Sequence, residues 1–313
     1  YNPNNKTSFN ENNLTNRVFQ SNYEMGSTFK PITATIGFDL DIIKPSMTFD
    51  VTKKYLNIGD HQKYKDNGIY NVEKIIVESS NIGTAQMATM IGKKNQKMYF
   101  EKIGFNHRIN IENNESAKPL GNKNNWGKKE TATIGFGHGF SITPLHLVKA
   151  YATLSNRGIE VIPTLQLNKN VETKTILKKE KSSNFFLNLL NSVVVKTEYT
   201  GPRVRVDGYK VGGKTGTSEL VNPKGGYYKD RNLTSFIGVF PINNPKYIIY
   251  TAIEYPKKEE GTNQKMTGAR VNAPLVKDII INIINIFNIP KNTENEVLKA
   301  DTKFLYRAIN AAI

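Results

Sequence analysis

The sequence has 313 residues, with 43 lysines and arginines against 27 aspartates and glutamates, a net charge of +16 and no cysteine. A chain of this length can bury a large core, and the absence of cysteine excludes thiol chemistry without fixing a compartment. The positive charge would suit nucleic acid, but the sequence has no zinc spacing, RNP-like aromatic pattern or basic run with interleaved aromatics. We therefore predict no nucleic-acid partner, since anionic lipid headgroups and wall polymers are equally good counter-charges. No run of about 18 apolar residues and no signal peptide occurs, so no transmembrane helix is predicted.

The predicted elements are mainly helical at first and extended later. An Asn-rich lead-in over residues 1–26 precedes a helix from Ser27 to about Leu40, and residues 47–70 read as loop or short strands. Further helices are predicted over residues 71–78, 82–93, 97–104, 144–156 and 185–195, with a polar surface loop over 106–127. Strands are predicted over residues 208–220, 233–240 and 246–254, and a long amphipathic helix follows Pro274 over 275–289. Helices, then an antiparallel meander, then a helix predict an α+β fold with helices on both faces of the sheet.

The first motif that carries chemistry is Ser27-Thr28-Phe29-Lys30, an S-x-x-K sequence. Side chains three residues apart on a helix share one face, so Lys30 can take the proton that makes the Ser27 hydroxyl nucleophilic. Lysine is a base only when neutral, so burial or a nearby cation, for which Lys214 is the candidate, must lower its pKa from about 10.4. Pro31 belongs in the first turn of a helix, which places Ser27 at the positive end of the helix dipole.

The second motif is Ser79-Ser80-Asn81, an S-x-N sequence in which short polar side chains offer several hydrogen-bonding options. Ser79 and Asn81 could relay a proton to a leaving amine and hold a peptide carbonyl. The alternative interpretation is an N-cap pair that starts a helix at Ile82. Two other S-x-N sequences exist, but the one at Ser8 precedes the nucleophile and the one at Ser182 is read as a helix cap.

The third motif is Lys214-Thr215-Gly216-Thr217, which ends a short extended run. Gly216 would allow a substrate peptide to lie along the strand edge, with Thr215, Gly216 and Thr217 as the substrate-binding stretch. Lys214 and Thr217 would bind a substrate carboxylate. The backbone N–H groups of Thr217 and Ser27 would form an oxyanion hole. The alternative interpretation is an exposed turn before a strand.

These three motifs, in this order, resemble the class B penicillin-binding proteins. The resemblance is carried by residues 23–31, 79–83 and 208–217, by the opening residues 1–4, by the glycine-rich residues 135–139 with Thr143-Pro144, and by Asn272-Ala273-Pro274. It extends from residue 1 to about 290, and so implies a catalytic domain over residues 1–290 and a tail over 291–313. The implied fold is the penicillin-binding transpeptidase/serine β-lactamase-like α+β fold.

The similarity is greatest to the division-specific, FtsI-like subgroup, because S-S-N stands where elongation enzymes often have S-x-D. It implies a D,D-transpeptidase in which Ser27 attacks the D-Ala–D-Ala bond of a peptidoglycan stem peptide, transfers the acyl group to an amine of a neighbouring stem, and is trapped by β-lactams. Met25 and His138 depart from the family pattern, which commonly has proline and an aromatic residue there. Catalysis is expected to need no metal and no cofactor.

The sequence begins with Tyr1 rather than methionine, so we expect it to be an excised domain. The resemblance implies an N-terminal anchor in the inner membrane and a non-catalytic domain, both outside this sequence, with the catalytic domain in the periplasm. Through those regions the protein is expected to meet a membrane glycosyltransferase and other division proteins.

Three other functions stay open on the sequence alone. A D,D-carboxypeptidase or β-lactamase-like hydrolase would use the same motifs with a water-activating group, whose counterpart the sequence does not identify. A non-catalytic β-lactam sensor and an elongation-specific paralogue are the other two. The four histidines, His61, His107, His138 and His146, lack zinc-ligand spacing, and the Gly135-x-Gly137-x-Gly139 stretch is read as a turn lining the cleft rather than a dinucleotide site.

Overall fold

A central antiparallel sheet and a helical region together position the predicted motifs. The computed structural model describes residues 15–60, 67–112, 115–121, 126–167, 169–222, 224–257 and 265–291. The helices in these ranges are α1 (Arg17–Gln20), α2 (Lys30–Asp39), α3 (Val72–Val77), α4 (Asn81–Ile103), α5 (Lys128–Gly135), α6 (Pro144–Ser155), α7 (Glu180–Lys196), α8 (Gly201–Val204) and α9 (Gly268–Phe287). The strands are β1 (Tyr23–Glu24), β2 (Thr48–Asp50), β3 (Ile69–Asn71), β4 (Leu120–Gly121), β5 (Phe140–Ile142), β6 (Gly212–Val221), β7 (Tyr227–Phe240) and β8 (Tyr247–Glu254). The predicted tail lies outside the described residues, apart from Lys291.

The largest sheet of the described chain has the order β6-β7-β8, and both of its pairings are antiparallel. Side chains alternate between the two faces of a strand, and both faces of β7 are apolar from Phe236 to Phe240. Phe236 and Phe240 are buried in one cluster with Val276 and Ile280 of α9. Ile237 and Val239 are buried in the other cluster, which includes residues of α7. The prediction of an α+β fold with helices on both faces of the sheet is therefore confirmed.

The helical region surrounds α2, every residue of which is buried. Phe29, at the end of the turn that precedes α2, packs against Phe100 and Phe105 with ring centroids 5.6 and 5.4 Å apart. Aromatic pairs at such distances add to the stability that burial of their surface provides. The core therefore fixes α2 directly after the Ser27 segment.

Two small sheets bring distant segments to the same place. In the first, β1 pairs with β5, and Glu24 lies opposite Ser141. Strand β4 pairs with the other side of β5, so the order is β1-β5-β4. In the second, β2 and β3 form an antiparallel pair immediately before α3. The first sheet therefore holds the segment before Ser27 against the glycine-rich residues 135–139.

Several predicted boundaries were wrong. The two helices predicted over residues 82–93 and 97–104 are both present within α4, but the break between them lies at Gly92, whose φ of 78° and ψ of 157° are not helical. Helix α9 begins at Gly268 rather than after Pro274, because the chain from Gly268 already packs on the sheet: a Cβ on Gly268 would lie 2.2 Å from the Ser235 oxygen.

The helix-cap interpretation of Ser182 was also wrong, because α7 begins earlier, at Glu180. The Ser182 hydroxyl instead donates a hydrogen bond of 2.7 Å to Asp39 at the end of α2. Helix α5 and strand β5 were not predicted, although both lie close to the glycine-rich stretch.

Asp39 is fully buried and joins the end of α2 to the start of α7. Its carboxylate accepts hydrogen bonds from the hydroxyls of Tyr99 and Ser182. It also accepts the backbone N–H groups of Lys178 and Lys179, at 2.9 and 3.0 Å. Four donors converge on one side chain, so its loss would leave several buried polar groups without partners.

Replacing Asp39 by alanine is therefore expected to lower the free energy of unfolding by about 3 kcal/mol or more. Urea unfolding followed by circular dichroism measures this loss. Asp278→Ala, on the exposed side of α9, is the matched control and is expected to change the midpoint little. Equal midpoints for Asp39→Ala and the unsubstituted protein would contradict the role given to this carboxylate.

Candidate active site

Ser27 lies in a short 3-10 turn, Gly26–Phe29, that leads directly into α2. Pro31 occupies the first turn of α2, as the sequence predicted. The N–H groups of a first turn have no partner within the helix, so a proline there removes no helical hydrogen bond. Gly26 has a φ of 53°, a conformation that favours glycine, and its N–H donates to the Gly137 oxygen at 3.1 Å. Ser27 is partly exposed, whereas Gly26 and Thr28 on either side of it are buried.

Two buried lysines meet on the hydroxyl of Ser79. The Nζ atom of Lys30 lies 3.2 Å from the Ser79 Oγ, and Lys30 also donates to the Ser79 backbone oxygen. The Nζ atom of Lys214 lies 3.0 Å from the same Oγ. Lys30 is fully buried and Lys214 is 1% exposed. The first, second and third motifs therefore converge at Ser79 although they are far apart in the sequence.

The surroundings of both lysines favour their neutral forms. Burial lowers the pKa of Lys30 well below its usual value, the positive charge of Lys214 lowers it further, and the carboxylate of Asp60 opposes both effects. Burial lowers the pKa of Lys214 to about 7. A neutral Lys30 can accept a proton, which is the property that the S-x-x-K motif requires of its lysine.

The segment of the second motif lies at the start of α4. Ser79 has a φ of 59°, Ser80 is the N-cap, and Asn81 is the first residue of the helix. The Ser80 Oγ accepts the N–H of Gly83 at 3.0 Å. The N-cap alternative thus applies to Ser80, while Ser79 directs its hydroxyl to the lysines. The Asn81 side chain donates a long hydrogen bond of 3.4 Å to the Gly59 oxygen. Among the described residues, it makes no hydrogen bond to either lysine.

The third motif lies on β6, which is an edge strand of the described sheet. The Nζ of Lys214 lies 3.4 Å from the Thr215 Oγ1. A Cβ on Gly216 would lie 2.9 Å from the Thr28 Cγ2, so only glycine permits this approach of β6 to the Ser27 turn. Thr217 is exposed, and its backbone oxygen lies 2.8 Å from where a Cβ on Gly26 would be. Residues 214–217 therefore line one side of the Ser27 turn.

The glycine-rich stretch forms the turn on the other side. Gly137 has a φ of 82° and approaches Gly26 so closely that a Cβ would lie 2.4 Å from the Gly26 oxygen. Glu24, which is buried, accepts the N–H of Gly139 at 2.8 Å and the hydroxyl of Tyr227 at 2.9 Å. The Nε2 of His138 lies 3.5 Å from the other oxygen of this carboxylate. Glu24 thus ties the Ser27 segment to this turn and to β7.

Comparison with known proteins identifies the family. The model of the penicillin binding protein transpeptidase domain matches residues 1–280. This chain belongs to that family. A relative from Caulobacter vibrioides, named probable peptidoglycan D,D-transpeptidase FtsI, is 32% identical over 290 residues, which cover 89% of this chain and 49% of the relative. The chain therefore spans about half the length of that relative.

Two further comparisons support the same family for this transpeptidase domain. The probable peptidoglycan D,D-transpeptidase PenA of Neisseria flavescens is 29% identical, over 92% of this chain and 71% of that protein. The apo TP domain of Burkholderia pseudomallei penicillin-binding protein 3 has a TM-score of 0.77 at 25% identity and covers 89% of this chain and 83% of that chain. The predicted penicillin-binding transpeptidase fold is therefore confirmed.

Two further histidines of this transpeptidase domain, His107 and His146, have polar partners within the fold. His107 contacts Glu101 at the surface, while burial lowers the pKa of His146 to about 4, between Thr143 and the backbone of His107. His61 lies outside the described residues. Within the described ranges, no three histidine or acidic side chains are grouped as metal ligands, and no helix is both long and apolar enough to cross a bilayer.

Two acidic residues close to the site were missed by the sequence analysis. Asp60 accepts the N–H of Asn81, the first residue of α4, and its charge raises the pKa of Lys30. Glu24 connects the Ser27 segment to the glycine-rich turn by accepting the N–H of Gly139. Neither belongs to a motif with a known spacing. Glu24 did stand three residues before Ser27, inside the stretch that carried the family resemblance, and this was the one available signal for it.

Proposed function

We propose that this chain is the catalytic domain of a serine D,D-transpeptidase that cross-links peptidoglycan stem peptides and is a target of β-lactams. The observation that carries the proposal is the meeting of two buried lysines on the Ser79 hydroxyl, beside the turn that presents Ser27. Such a site supplies the neutral amine that a serine acyl-transferase without histidine needs. Membership of the penicillin-binding protein transpeptidase family supports the same reaction.

Acylation would begin when a neutral Lys30 accepts the proton of the Ser27 hydroxyl. The Ser27 Oγ then bonds to the carbonyl carbon between the two D-Ala residues, and the carbonyl oxygen becomes an oxyanion. The backbone N–H groups of Ser27 and Thr217 are the proposed donors to that oxyanion. The 3-10 turn supports this role because it places the Ser27 N–H at the start of a buried helix, where the dipole favours negative charge.

Departure of the terminal D-Ala requires a proton on its amine. The Ser79 hydroxyl bridges Lys30 to the cleft, so we assign it the relay of the proton from the Lys30 ammonium to the leaving nitrogen. The C–N bond breaks, D-Ala leaves, and the acyl group stays on Ser27. The amine of a neighbouring stem then attacks the ester, its proton returns to the Ser27 oxygen, and the new peptide bond is the cross-link. The Asn81 amide is assigned to the substrate carbonyl.

Substrate binding is assigned to the edge of β6. Thr215, Gly216 and Thr217 can accept an extended peptide as an added strand, because an edge strand offers free backbone groups. Lys214 and the exposed Thr217 would bind the terminal carboxylate. A β-lactam has the same carboxylate and an acyl carbon in the same relation to it, so it would react with Ser27 and stay attached.

The role of the whole protein is proposed from its relatives. The name FtsI of the Caulobacter vibrioides relative favours septal wall synthesis. We propose a location in the inner membrane, with this domain in the periplasm, and association with a membrane glycosyltransferase and other division proteins through regions outside this sequence.

The experiment that tests the proposed function is intact-mass measurement after incubation with benzylpenicillin, followed by mapping of the modified peptide. We expect one adduct, on Ser27, that persists for hours, and none in the Ser27→Ala protein. Rapid loss of the adduct would favour the hydrolase, and an adduct on another residue would contradict the proposal. Normal division of cells that carry only Ser27→Ala would favour the sensor, and rounded cells rather than filaments on depletion would favour the elongation-specific paralogue.

The pH dependence of acylation gives a further test. Acylation needs neutral Lys30, so its rate falls as the pH drops through the pKa of this lysine. Lys214→Gln removes the charge that lowers this pKa, so the acid limb of the profile is expected to move to higher pH. Time courses with fluorescent penicillin between pH 5 and pH 9 measure the shift, and Lys246→Gln, at an exposed turn, is the control. An unmoved acid limb would contradict the coupling of the two lysines.

A further inference from the structure

Asp60 holds the start of α4 through three hydrogen bonds from consecutive residues. Its Oδ2 accepts the hydroxyl of Ser80 at 2.6 Å. Its Oδ1 accepts the backbone N–H of Asn81, and that of Ile82 at 3.1 Å. The first N–H groups of a helix have no partner within the helix, and a carboxylate there also meets the positive end of the dipole. One side chain from a different segment therefore fixes residues 80–82.

Ser79, the residue before this anchored stretch, has a backbone conformation that needs such support. Its φ of 59° is in the left-handed region, which is unfavourable for serine by about 1 to 2 kcal/mol. This conformation directs both its backbone oxygen and its hydroxyl toward Lys30, and the hydroxyl also toward Lys214. On its N-terminal side, helix α3 contributes to holding the turn, because the Ser80 N–H donates to the Ile75 oxygen at 2.9 Å. Asp60 provides the anchor on the other side.

Asp60 is also a charged group that acts on the two-lysine site. Two lysines on one hydroxyl repel each other when protonated, and the Lys214 charge disfavours a proton on Lys30. The carboxylate of Asp60 instead favours a proton on Lys30 and so raises its pKa. Its position at the Ser80 hydroxyl and the Asn81 N–H places this negative charge next to the residue that both lysines contact.

We propose that Asp60 is a positioning residue of the active site, which fixes Ser79 between Lys30 and Lys214 and serves as the counter-charge of Lys30. The proposal deepens the proposed function and rests on it for its catalytic readout. Two substitutions separate the two parts of the role. Asp60→Asn keeps an oxygen that can accept the N–H groups of Asn81 and Ile82 but removes the charge, whereas Asp60→Ala removes both.

The first measurement is the pH profile of acylation of Ser27 by fluorescent penicillin. Asp60→Asn is expected to move the acid limb about one pH unit lower, because Lys30 loses its proton more easily, and to keep most of the rate at the plateau. Asp60→Ala is expected to lower the plateau rate about tenfold or more, because Ser79 is no longer held in place. Asp50→Asn, whose exposed carboxylate accepts from the N–H and hydroxyl of Thr52, is the matched control and is expected to change neither.

The second measurement does not depend on acylation. Titration of the Lys30 side chain by NMR, with 13C-labelled lysine, gives its midpoint directly. A lower midpoint in Asp60→Asn than in Asp50→Asn supports the counter-charge role, and equal midpoints overturn it. An Asp60→Asn acid limb that stays or moves upward, or an Asp60→Ala plateau equal to that of the unsubstituted protein, also overturns the proposal. If Ser27 is not acylated at all, the proposed function fails, while the Lys30 titration still decides the role of Asp60.

Discussion

Replacing Lys30 by methionine is expected to slow acylation of Ser27 by benzylpenicillin about 10³-fold. Methionine has nearly the same length and fits an apolar site, but it cannot accept the Ser27 proton. Removal of a positioned general base costs about 10²- to 10⁴-fold in rate. The measurement is the second-order rate constant for adduct formation, from quenched time courses at pH 8. A rate within tenfold of that of the unsubstituted protein would show that another group takes the proton.

Lys30→Met is also expected to change how the free energy of unfolding depends on pH. This measurement distinguishes loss of the base from loss of the fold. Burial disfavours the charged form of Lys30, so its pKa is lower in the native state than in the unfolded chain. The native protein then binds fewer protons, and its stability rises with pH from the native pKa up to about 10.4. Methionine removes this dependence. Relative to the unsubstituted protein, Lys30→Met is therefore expected to be most stabilised at low pH, as urea unfolding at several pH values would measure.

Replacing Gly137 by alanine is expected to reduce both stability and acylation. The new Cβ would lie 2.4 Å from the oxygen and 2.7 Å from the nitrogen of Gly26, and backbone atoms cannot rotate away. The φ of 82° adds the cost of a left-handed conformation. Together these effects are expected to lower the free energy of unfolding by about 3 kcal/mol or more. Relief of the clash would displace the Ser27 turn, and a shift of about 1 Å costs about 10²-fold in rate.

Gly139→Ala is the matched control for this experiment, because Gly139 lies two residues away and has a similar φ of 78°. The nearest atom to its new Cβ would be the Thr133 Oγ1 at 3.7 Å, an ordinary contact. Only the conformational cost of about 1 to 2 kcal/mol is expected there. Thermal unfolding and adduct formation measured on both variants separate the clash from the backbone strain. Equal effects of the two substitutions would show that the approach of Gly137 to Gly26 is unimportant.

The sequence predicted the convergence of Lys30, Ser79 and Lys214 because each belongs to a motif whose order and spacing reflect a shared chemistry. It did not predict Asp60, because a carboxylate that caps a helix from another segment has no fixed distance from it in the sequence. The roles assigned to Asn81 and Thr217 stay predictions. Their placement near Ser79 and the Ser27 turn is compatible with those roles, and substrate complexes would test them.

Secondary structure was predictable where apolar periodicity was regular and failed where packing overrode local preference. Two helices were predicted with a break over residues 94–96, whereas the structure has the break at Gly92. Pro274 suggested a helix start, yet the preceding residues already form α9 against the sheet. The packing of the first turn of α9 on the sheet is not visible from the residues themselves, since it depends on partners distant in the sequence.

The three segments that meet at Ser79 come from the beginning, the first third and the later half of the described chain, and no single element contains more than one of them. Contacts between such distant segments form late in folding, since the intervening loops must be closed first. Penicillin reactivity should therefore be acquired only when β6 has docked, after most helices are in place. The amount of covalently bound β-lactam would then measure the number of fully folded molecules during refolding or synthesis. Incompletely folded chains would remain unlabelled.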